Sequence, residues 1–138
     1  AHNISVNTDI LIEDIKEEAD MLVLPGGMPG TNYLREHEGL AELLKKQYKA
    51  GKWVAAICAA PSVLGGLGFL KDKKATSYPG CLEGILVGEY SEEAVVVDDN
   101  VITSRGVGTA IAFALSLIEV LAGKEKSEEV AASIIYSA

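Results

Sequence analysis

The feature that most constrains this chain is the stretch from Trp53 to Ser62, which reads WVAAICAAPS. Its first five residues are apolar and typical of a buried β-strand, and Cys58 stands where that strand must end. Pro61 follows at the right distance for the first turn of a helix, because the N–H group that proline lacks would have no helical partner there. The sequence therefore predicts a strand, an abrupt turn at a cysteine and a helix, which is the layout of a nucleophile elbow.

This layout allows two interpretations of Cys58. A thiol at a strand-to-helix turn lies near free backbone N–H groups and the positive end of the helix dipole, and both favour the reactive thiolate. The small residues Ala56, Ala59 and Ala60 leave room for a sharp turn and for a substrate beside the sulfur. Free cysteines are also among the most often buried residues, so the alternative is a structural core cysteine.

A second motif, LPGGMPG at Leu24–Gly30, follows the apolar run Met21–Leu24. An apolar run that ends in Pro-Gly-Gly predicts a buried parallel strand that opens into a loop. The loop is not a P-loop, since it lacks the Lys-Ser/Thr pair, and it lacks the G-x-G-x-x-G spacing of a dinucleotide site. Gly26 and Gly27 serve either as a plain tight turn or as a place where the backbone approaches another group closely.

The remaining chain alternates strand and helix patterns, which predicts an α/β three-layer sandwich with a mostly parallel sheet and its site at the carboxyl ends of the strands. The expected elements are a strand at Ala1–Val6, a short helical turn at Leu11–Ile15, an amphipathic helix at Glu38–Ala50, a helix at Ser62–Leu67, a strand at Lys74–Thr76, a hairpin of Ala94–Val97 and Val101–Ser104, a buried helix at Thr109–Leu121 that Gly123 ends, and a last helix that Ser127 begins.

Composition excludes several classes of function. The net charge of −8 argues against a nucleic-acid-binding protein, which needs a basic face. The longest helical apolar run, Ala110–Ile118, is far shorter than the roughly 18 residues of a membrane span. Two cysteines in 138 residues do not make a disulfide framework, so we expect a cytoplasmic protein.

Four segments in order resemble the ThiJ/PfpI superfamily and, within it, the branch of the Parkinson-disease protein DJ-1. The segments are LPGGMPG at 24–30, AAICAAP at 55–61, TSYPG at 76–80 and TSRGVGT at 103–109. The similarity runs from about Asp9 to the C-terminal helix. It implies that Cys58 is the nucleophile, that the fold is the flavodoxin-like one of the class I glutamine-amidotransferase-like superfamily, and that the protein is a homodimer or a higher assembly.

The resemblance also implies an activity. It points to a glyoxalase-like or deglycase-like lyase or hydrolase that acts on small 2-oxoaldehydes and uses neither a cofactor nor a metal. The backbone N–H groups of Gly27 and Ala59 would form an oxyanion hole, with Gly26 and Tyr78 beside the substrate. The alternative is a redox-sensing protein of the oxidative-stress response, in which Cys58 is oxidised without turnover.

The sequence departs from the family at two positions that carry histidine elsewhere. Tyr78 stands where many members have a histidine near the cysteine, and Ala59 stands where the protease-like branch has one directly after it. With only His2 and His37 in the chain, no Cys-His dyad can be assembled from the recognised motifs. Protease activity is therefore not expected.

Three further residues have two interpretations each. Cys81 follows Tyr78 by three positions and is either a resolving thiol for an oxidised Cys58 or a half-buried loop cysteine. For His37 we expect a solvated position at the start of a helix rather than a catalytic one. For Arg105 we expect a structural ion pair rather than substrate binding.

The resemblance implies a strand, a helix and a strand before Ala1, with a glutamate that serves as the proton shuttle. We therefore expect residues 1–138 to form one ThiJ/PfpI-like domain that lacks its N-terminal part. Because a parallel sheet needs neighbours for its central strands, we also expect this part on a separate chain that supplies the glutamate, or else pairing of the open edge with a second copy.

Overall fold

The computed structural model describes residue 2 and residues 4–137 of the chain. Short 3-10 turns lie at Ile12–Asp14 and Val107–Thr109. The strands and helices, in chain order, are β1 (Met21–Leu24), α1 (Gly30–Glu36), α2 (Glu38–Lys49), β2 (Trp53–Ile57), α3 (Pro61–Gly66), β3 (Lys74–Ala75), β4 (Glu89–Tyr90), β5 (Val95–Asp98), β6 (Val101–Ser104), α4 (Ala110–Ala122) and α5 (Lys124–Ser133).

The main sheet has the strand order β1-β2-β6-β5. Strands β1, β2 and β6 are parallel, with Val54 paired to Leu22 on one side and to Val101 on the other. Strand β5 runs antiparallel to β6, which confirms the predicted hairpin. The predicted strands that precede the glycine loop and the cysteine are also confirmed. Because β1, β2 and β6 run in one direction, the loops that follow them meet at the same edge of the sheet.

The central strand β2 divides its side chains between the two faces of the sheet, as the period of two in a strand requires. Val54 and Ala56 belong to a large core that helices α2 and α3 cover with Leu44 and Leu64. Ala55 belongs to a smaller core on the opposite face, which it forms with Ile102 and with Phe113 of α4. The three-layer α/β arrangement is therefore confirmed.

Helix α4 is less buried than the sequence predicts. The run Ala110–Ile118 contains only apolar residues and one serine, which is typical of a helix enclosed on all sides. Phe113 is the one buried residue of this helix, however, and about half of Ile111 and of Leu121 is exposed, 49% and 52% respectively. The prediction of a buried helix was wrong because only one face of α4 packs on the sheet.

Three other elements differ from the predictions. No strand forms at residues 4–6, where Ile4 and Val6 are exposed, and Ala1 and Asn3 of that predicted strand lie outside the described residues. Helix α5 begins at Lys124, directly after Gly123, so Ser127 lies inside the helix, where its hydroxyl donates to the Leu115 carbonyl oxygen. Strand β3 ends at Ala75 and pairs with β4 in a separate two-stranded sheet.

Strand β1 is an edge of the main sheet within the part of the chain that the structure describes. Val23 on this strand has 45% of its surface exposed. An apolar edge strand is a template for pairing with another chain. The pairing of this edge with a separate segment or a second copy stays a prediction, which native mass spectrometry of the purified protein tests.

Candidate active site at the carboxyl edge of the sheet

Cys58 occupies a sharp turn directly after β2. Its φ of 65° is in the left-handed region, which residues with a side chain adopt rarely, and such residues cluster at functional sites. Two segments hold the turn: the Cys58 N–H donates to the Ser104 carbonyl oxygen at 2.9 Å, and the Cys58 carbonyl oxygen accepts from the Tyr78 N–H at 2.8 Å. The predicted elbow is confirmed, and its backbone is fixed by residues of two other sequence motifs.

Gly26 is the residue that lets the elbow approach the first loop. A Cβ atom there would lie 2.6 Å from the Cβ of Cys58 and 2.8 Å from the carbonyl oxygen of Ile57. Real Cβ atoms essentially never come this close, and neither of the two neighbours is the end of a flexible side chain. The structure therefore supports the close-approach interpretation of this glycine over that of a plain tight turn.

Helix α3 is joined to the elbow by a buried serine. Pro61 is the first residue of the helix, as predicted. The Ser62 hydroxyl donates to the Ala59 carbonyl oxygen at 2.6 Å and accepts from the Arg35 guanidinium of α1 at 2.8 Å. Sequence reasoning assigned no role to Ser62 or Arg35, although a serine that follows the helix-starting proline was a visible signal for the first of these bonds.

The cysteine opens onto a surface depression of about 560 Å³. Residues from the glycine loop, the elbow, the segment after β3 and the N-terminal segment line it: His2, Gly27, Met28, Cys58, Ala59, Tyr78, Pro79 and Cys81. The structure thus brings together Gly27, Cys58, Ala59, Tyr78 and Cys81, which the sequence analysis had selected. Gly26 lies directly behind the elbow.

Two backbone N–H groups at this depression are available to a ligand. Within the described part of the chain, neither the Gly27 N–H nor the Ala59 N–H donates a hydrogen bond to another group. Both residues line the depression together with Cys58. Unpaired donors beside a nucleophile can stabilise negative charge that develops on a substrate oxygen.

Gly106 lies behind the cysteine sulfur. A Cβ atom on this residue would be 3.9 Å from the Cys58 Sγ and 3.6 Å from the Tyr78 ring. Its loop is fixed by Thr109, whose hydroxyl oxygen accepts from the Gly106 N–H at 3.1 Å and lies 2.7 Å from the Ser104 hydroxyl. These bonds connect the last residue of β6 to the loop that follows it.

The segment after β3 places a second thiol at the same depression. Tyr78 to Cys81 form a turn closed by the Cys81 N–H, which donates to the Tyr78 carbonyl oxygen at 3.1 Å. Pro79 and Gly80 occupy its centre, and the φ of 83° at Gly80 is the conformation for which a Pro-Gly turn needs glycine. Burial raises the pKa of the Cys81 thiol, the charge of Cys58 raises it further, and Arg35 lowers it in part.

The two histidines have different surroundings. His37 is the N-cap residue directly before α2, where its Nδ1 accepts from the Leu40 N–H, and its Nε2 lies 3.3 Å from the Glu13 carboxylate. The expectation of a helix-entry histidine is confirmed. His2, in contrast, is one of the residues that line the cysteine depression. The sequence motifs gave no signal for it, because His2 lies far from Cys58 along the chain.

Arg105 forms the structural contacts that were expected for it. Its guanidinium donates to the Glu92 carbonyl oxygen at 3.2 Å and lies 3.9 Å from the carboxylate of the same residue. In residue 2 and residues 4–137, no helix is long and apolar enough to cross a membrane.

A family model decides the relationship of this chain to known proteins. The model of the DJ-1/PfpI family matches residues 1–120. The chain belongs to the DJ-1/PfpI family. A solved family member titled "Toxoplasma gondii DJ-1, oxidized" superimposes with a TM-score of 0.94 at 38% identity, over 99% of this chain and 76% of that one.

Two curated DJ-1/PfpI relatives differ in how much of their length is matched. Protein DJ-1 homolog A of Arabidopsis thaliana is 42% identical over 97% of this chain, which spans 35% of that protein. Glutathione-independent glyoxalase DJR-1.2 of Caenorhabditis elegans is 39% identical over 86% of this chain, which spans 64% of that relative. The chain therefore corresponds to part of the length of each.

Proposed function

We propose that this chain carries the site of a cysteine-dependent enzyme that converts small 2-oxoaldehydes, such as methylglyoxal, into 2-hydroxy acids without a diffusible cofactor. The observation that carries the proposal is the strained Cys58 turn beside the unpaired N–H groups of Gly27 and Ala59 in the described part of the chain. The name of the Caenorhabditis elegans relative, a glutathione-independent glyoxalase, supports the same chemistry. A deglycase-like reaction would use the same nucleophile.

The first step joins the sulfur to the aldehyde. The Cys58 thiolate attacks the aldehyde carbon, a carbon–sulfur bond forms, and the electron pair of the carbonyl bond moves onto its oxygen. The N–H groups of Gly27 and Ala59 would donate to this oxyanion, as the donors of an oxyanion hole do. A thiolate suits this step because it is a strong nucleophile without a metal.

The second step moves a proton between the two carbons of the substrate. The hydrogen on the former aldehyde carbon leaves as a proton and the neighbouring ketone carbon receives one, which gives a thioester of the 2-hydroxy acid. Water then cleaves the thioester and restores the Cys58 thiol, so that the net change is the addition of one water. We assign this proton transfer to His2, because it lines the depression and an imidazole is the side chain that most often acts as a general acid or base.

Turnover of methylglyoxal without glutathione tests the proposal, with the 2-hydroxy acid measured as product. We expect the purified protein to form it and Cys58→Ser to lose the activity, while circular dichroism shows an unchanged fold. A wild-type protein without turnover would overturn the proposed activity. Turnover that persists in Cys58→Ser would overturn the role of the cysteine.

Two histidine variants, one at the depression and one away from it, test the proton transfer separately. We expect His2→Asn to lower turnover by about 10²-fold, the usual contribution of a positioned acid or base. The matched control is His37→Asn, because His37 lies at the start of α2 and makes a capping bond. Equal turnover in His2→Asn and wild type would assign the step to a carboxylate on another segment, as the family resemblance implies.

A redox-sensing role is the second candidate function. It is favoured by the presence of a second thiol, Cys81, on the wall of the same depression. A sensor would be oxidised at Cys58 by peroxide and would show no turnover of methylglyoxal. Measuring the oxidation of Cys58 by peroxide and the turnover of methylglyoxal on the same protein therefore separates a sensor from an enzyme.

A further inference from the structure

The two thiols of this chain share one depression although they lie on separate segments. Cys58 and Cys81 are both free and both half-buried. Two consecutive backbone hydrogen bonds connect them through Tyr78: its N–H donates to the Cys58 carbonyl oxygen at 2.8 Å, and its carbonyl oxygen accepts from the Cys81 N–H at 3.1 Å. The backbones of the two cysteines are thus held to the same intermediate residue.

The segment that leads to Cys81 lies at the surface. Tyr78, Pro79 and Gly80 are exposed, and Tyr78 has 55% of its surface in solvent. A direct disulfide needs Cα atoms within about 7 Å of each other. Any adjustment toward this distance falls on the surface turn, because Gly26 packs against the elbow with no space between them.

The charges around Cys81 depend on the state of Cys58. Burial is the largest cause that raises the pKa of Cys81, the charge of Cys58 is the second, and Arg35 acts in the opposite direction. A sulfenic acid on Cys58 would be neutral, so the second cause would disappear while Arg35 remains. Oxidation of Cys58 would then lower the pKa of Cys81 and increase its thiolate fraction.

We propose that Cys81 is the resolving thiol for a sulfenic acid formed on Cys58, and that the two residues form a reversible intramolecular disulfide. Hydrogen peroxide is the oxidant: the Cys58 thiolate attacks one peroxide oxygen, takes it up as the sulfenic acid and releases hydroxide. The Cys81 thiolate then attacks the Cys58 sulfur, a sulfur–sulfur bond forms, and the sulfenic oxygen leaves as water after protonation. In sum two thiols and one peroxide give one disulfide and two waters.

This disulfide would both switch off and protect the nucleophile. The Cys58 sulfur in a disulfide cannot attack an aldehyde, and a dithiol reductant restores it. Without the second thiol, further peroxide carries a sulfenic acid to the sulfinic acid, which thiols do not reduce. The inference concerns oxidation only and holds whether or not the chain turns over methylglyoxal.

Peroxide treatment of the wild type and of Cys81→Ser tests the inference, with intact-mass spectrometry under non-reducing conditions. We expect the wild type to lose two hydrogen atoms, a peptide map to join Cys58 to Cys81, and dithiothreitol to reverse the change. We expect Cys81→Ser to gain oxygen atoms on Cys58 and to keep them after dithiothreitol. Cys81→Ala serves as a second variant in case serine disturbs the turn.

Two results would overturn the inference. One is a wild-type protein that gains oxygen atoms on Cys58 as readily as Cys81→Ser and recovers as poorly. The other is a disulfide that joins two chains, seen as a dimer on a non-reducing gel. Neither result depends on catalytic activity, so failure of this inference is distinguishable from failure of the proposed function.

Discussion

The cysteine depression has two unlike walls. We call Cys58 and Ala59, together with Gly26 and Ser62 that pack behind them, the elbow wall, and the turn Tyr78–Cys81 the loop wall. On the elbow wall Ala59 and Ser62 are 7% and 3% exposed, and Gly26 has no space for a Cβ atom. On the loop wall three of four residues are exposed, and the turn is held by backbone hydrogen bonds.

This difference separates the two tasks of the site. Close packing on the elbow wall holds Cys58 at an unfavourable backbone angle. Side chains on the loop wall are more exposed and contact solvent. Substitutions on the elbow wall should therefore affect folding, and those on the loop wall should affect what the site accepts and how it is oxidised.

The largest effect is expected for Gly26→Ala. The new Cβ atom would overlap the Cβ of Cys58 and the carbonyl oxygen of Ile57, so the elbow must shift, at a cost of about 3 kcal/mol in the free energy of unfolding. Urea denaturation measures this cost. Gly106→Ala is the matched control, since its Cβ would have contacts of 3.6 Å and 3.9 Å, which are ordinary. Equal stabilities of the two variants would contradict the comparison of the walls.

Ser62→Ala should have the next largest effect. It removes a buried hydroxyl, so the Ala59 carbonyl oxygen keeps only the Ser62 N–H as donor and the Arg35 guanidinium loses its acceptor, which costs about 1–2 kcal/mol. Ser133→Ala is the control, because Ser133 makes the same type of bond, to Val130 at 2.8 Å, on the exposed side of α5. Thermal unfolding of both variants measures the difference. A loss in Ser133→Ala as large as that in Ser62→Ala would show that burial of the elbow wall is not the cause.

On the loop wall, the reaction of Cys81 with iodoacetamide should require alkaline pH. Burial first and the Cys58 charge second raise its pKa, so the thiolate fraction of Cys81 at a given pH is below that of an ordinary thiol. Cys58→Ser removes the second cause, and its Cys81 should react at lower pH than in the wild type. Peptide mapping of alkylation across pH measures both. Identical profiles for Cys81 in the two proteins would contradict the coupling.

The smallest effect on stability is expected for Tyr78→Phe. More than half of Tyr78 is exposed, and the bond to Cys58 comes from its backbone N–H, which the substitution keeps. We expect a change below about 0.5 kcal/mol in stability, as for surface positions in general, with any kinetic change confined to KM. Tyr33→Phe, at an exposed position of α1, is the control. Marked unfolding of Tyr78→Phe alone would assign the loop wall a structural role.

The sequence by itself determined the local structures around the site. The apolar run before Cys58, the proline three residues later and the hairpin before Arg105 each depend on neighbouring residues, and the structure confirms them. The sequence also allowed the family to be identified from four motifs. These signals are readable because strand periodicity and proline geometry act over a few residues.

Only the tertiary structure decided which residues meet. It placed Gly26 against Cys58, Arg35 on Ser62 and His2 at the depression, and it left one side of α4 exposed. Such contacts depend on strand order and on the paths of loops, which join residues far apart in the chain. The local pattern of apolar and polar residues specifies whether a segment forms a strand or a helix. Which residues become neighbours at the edge of the sheet depends on how the whole chain packs.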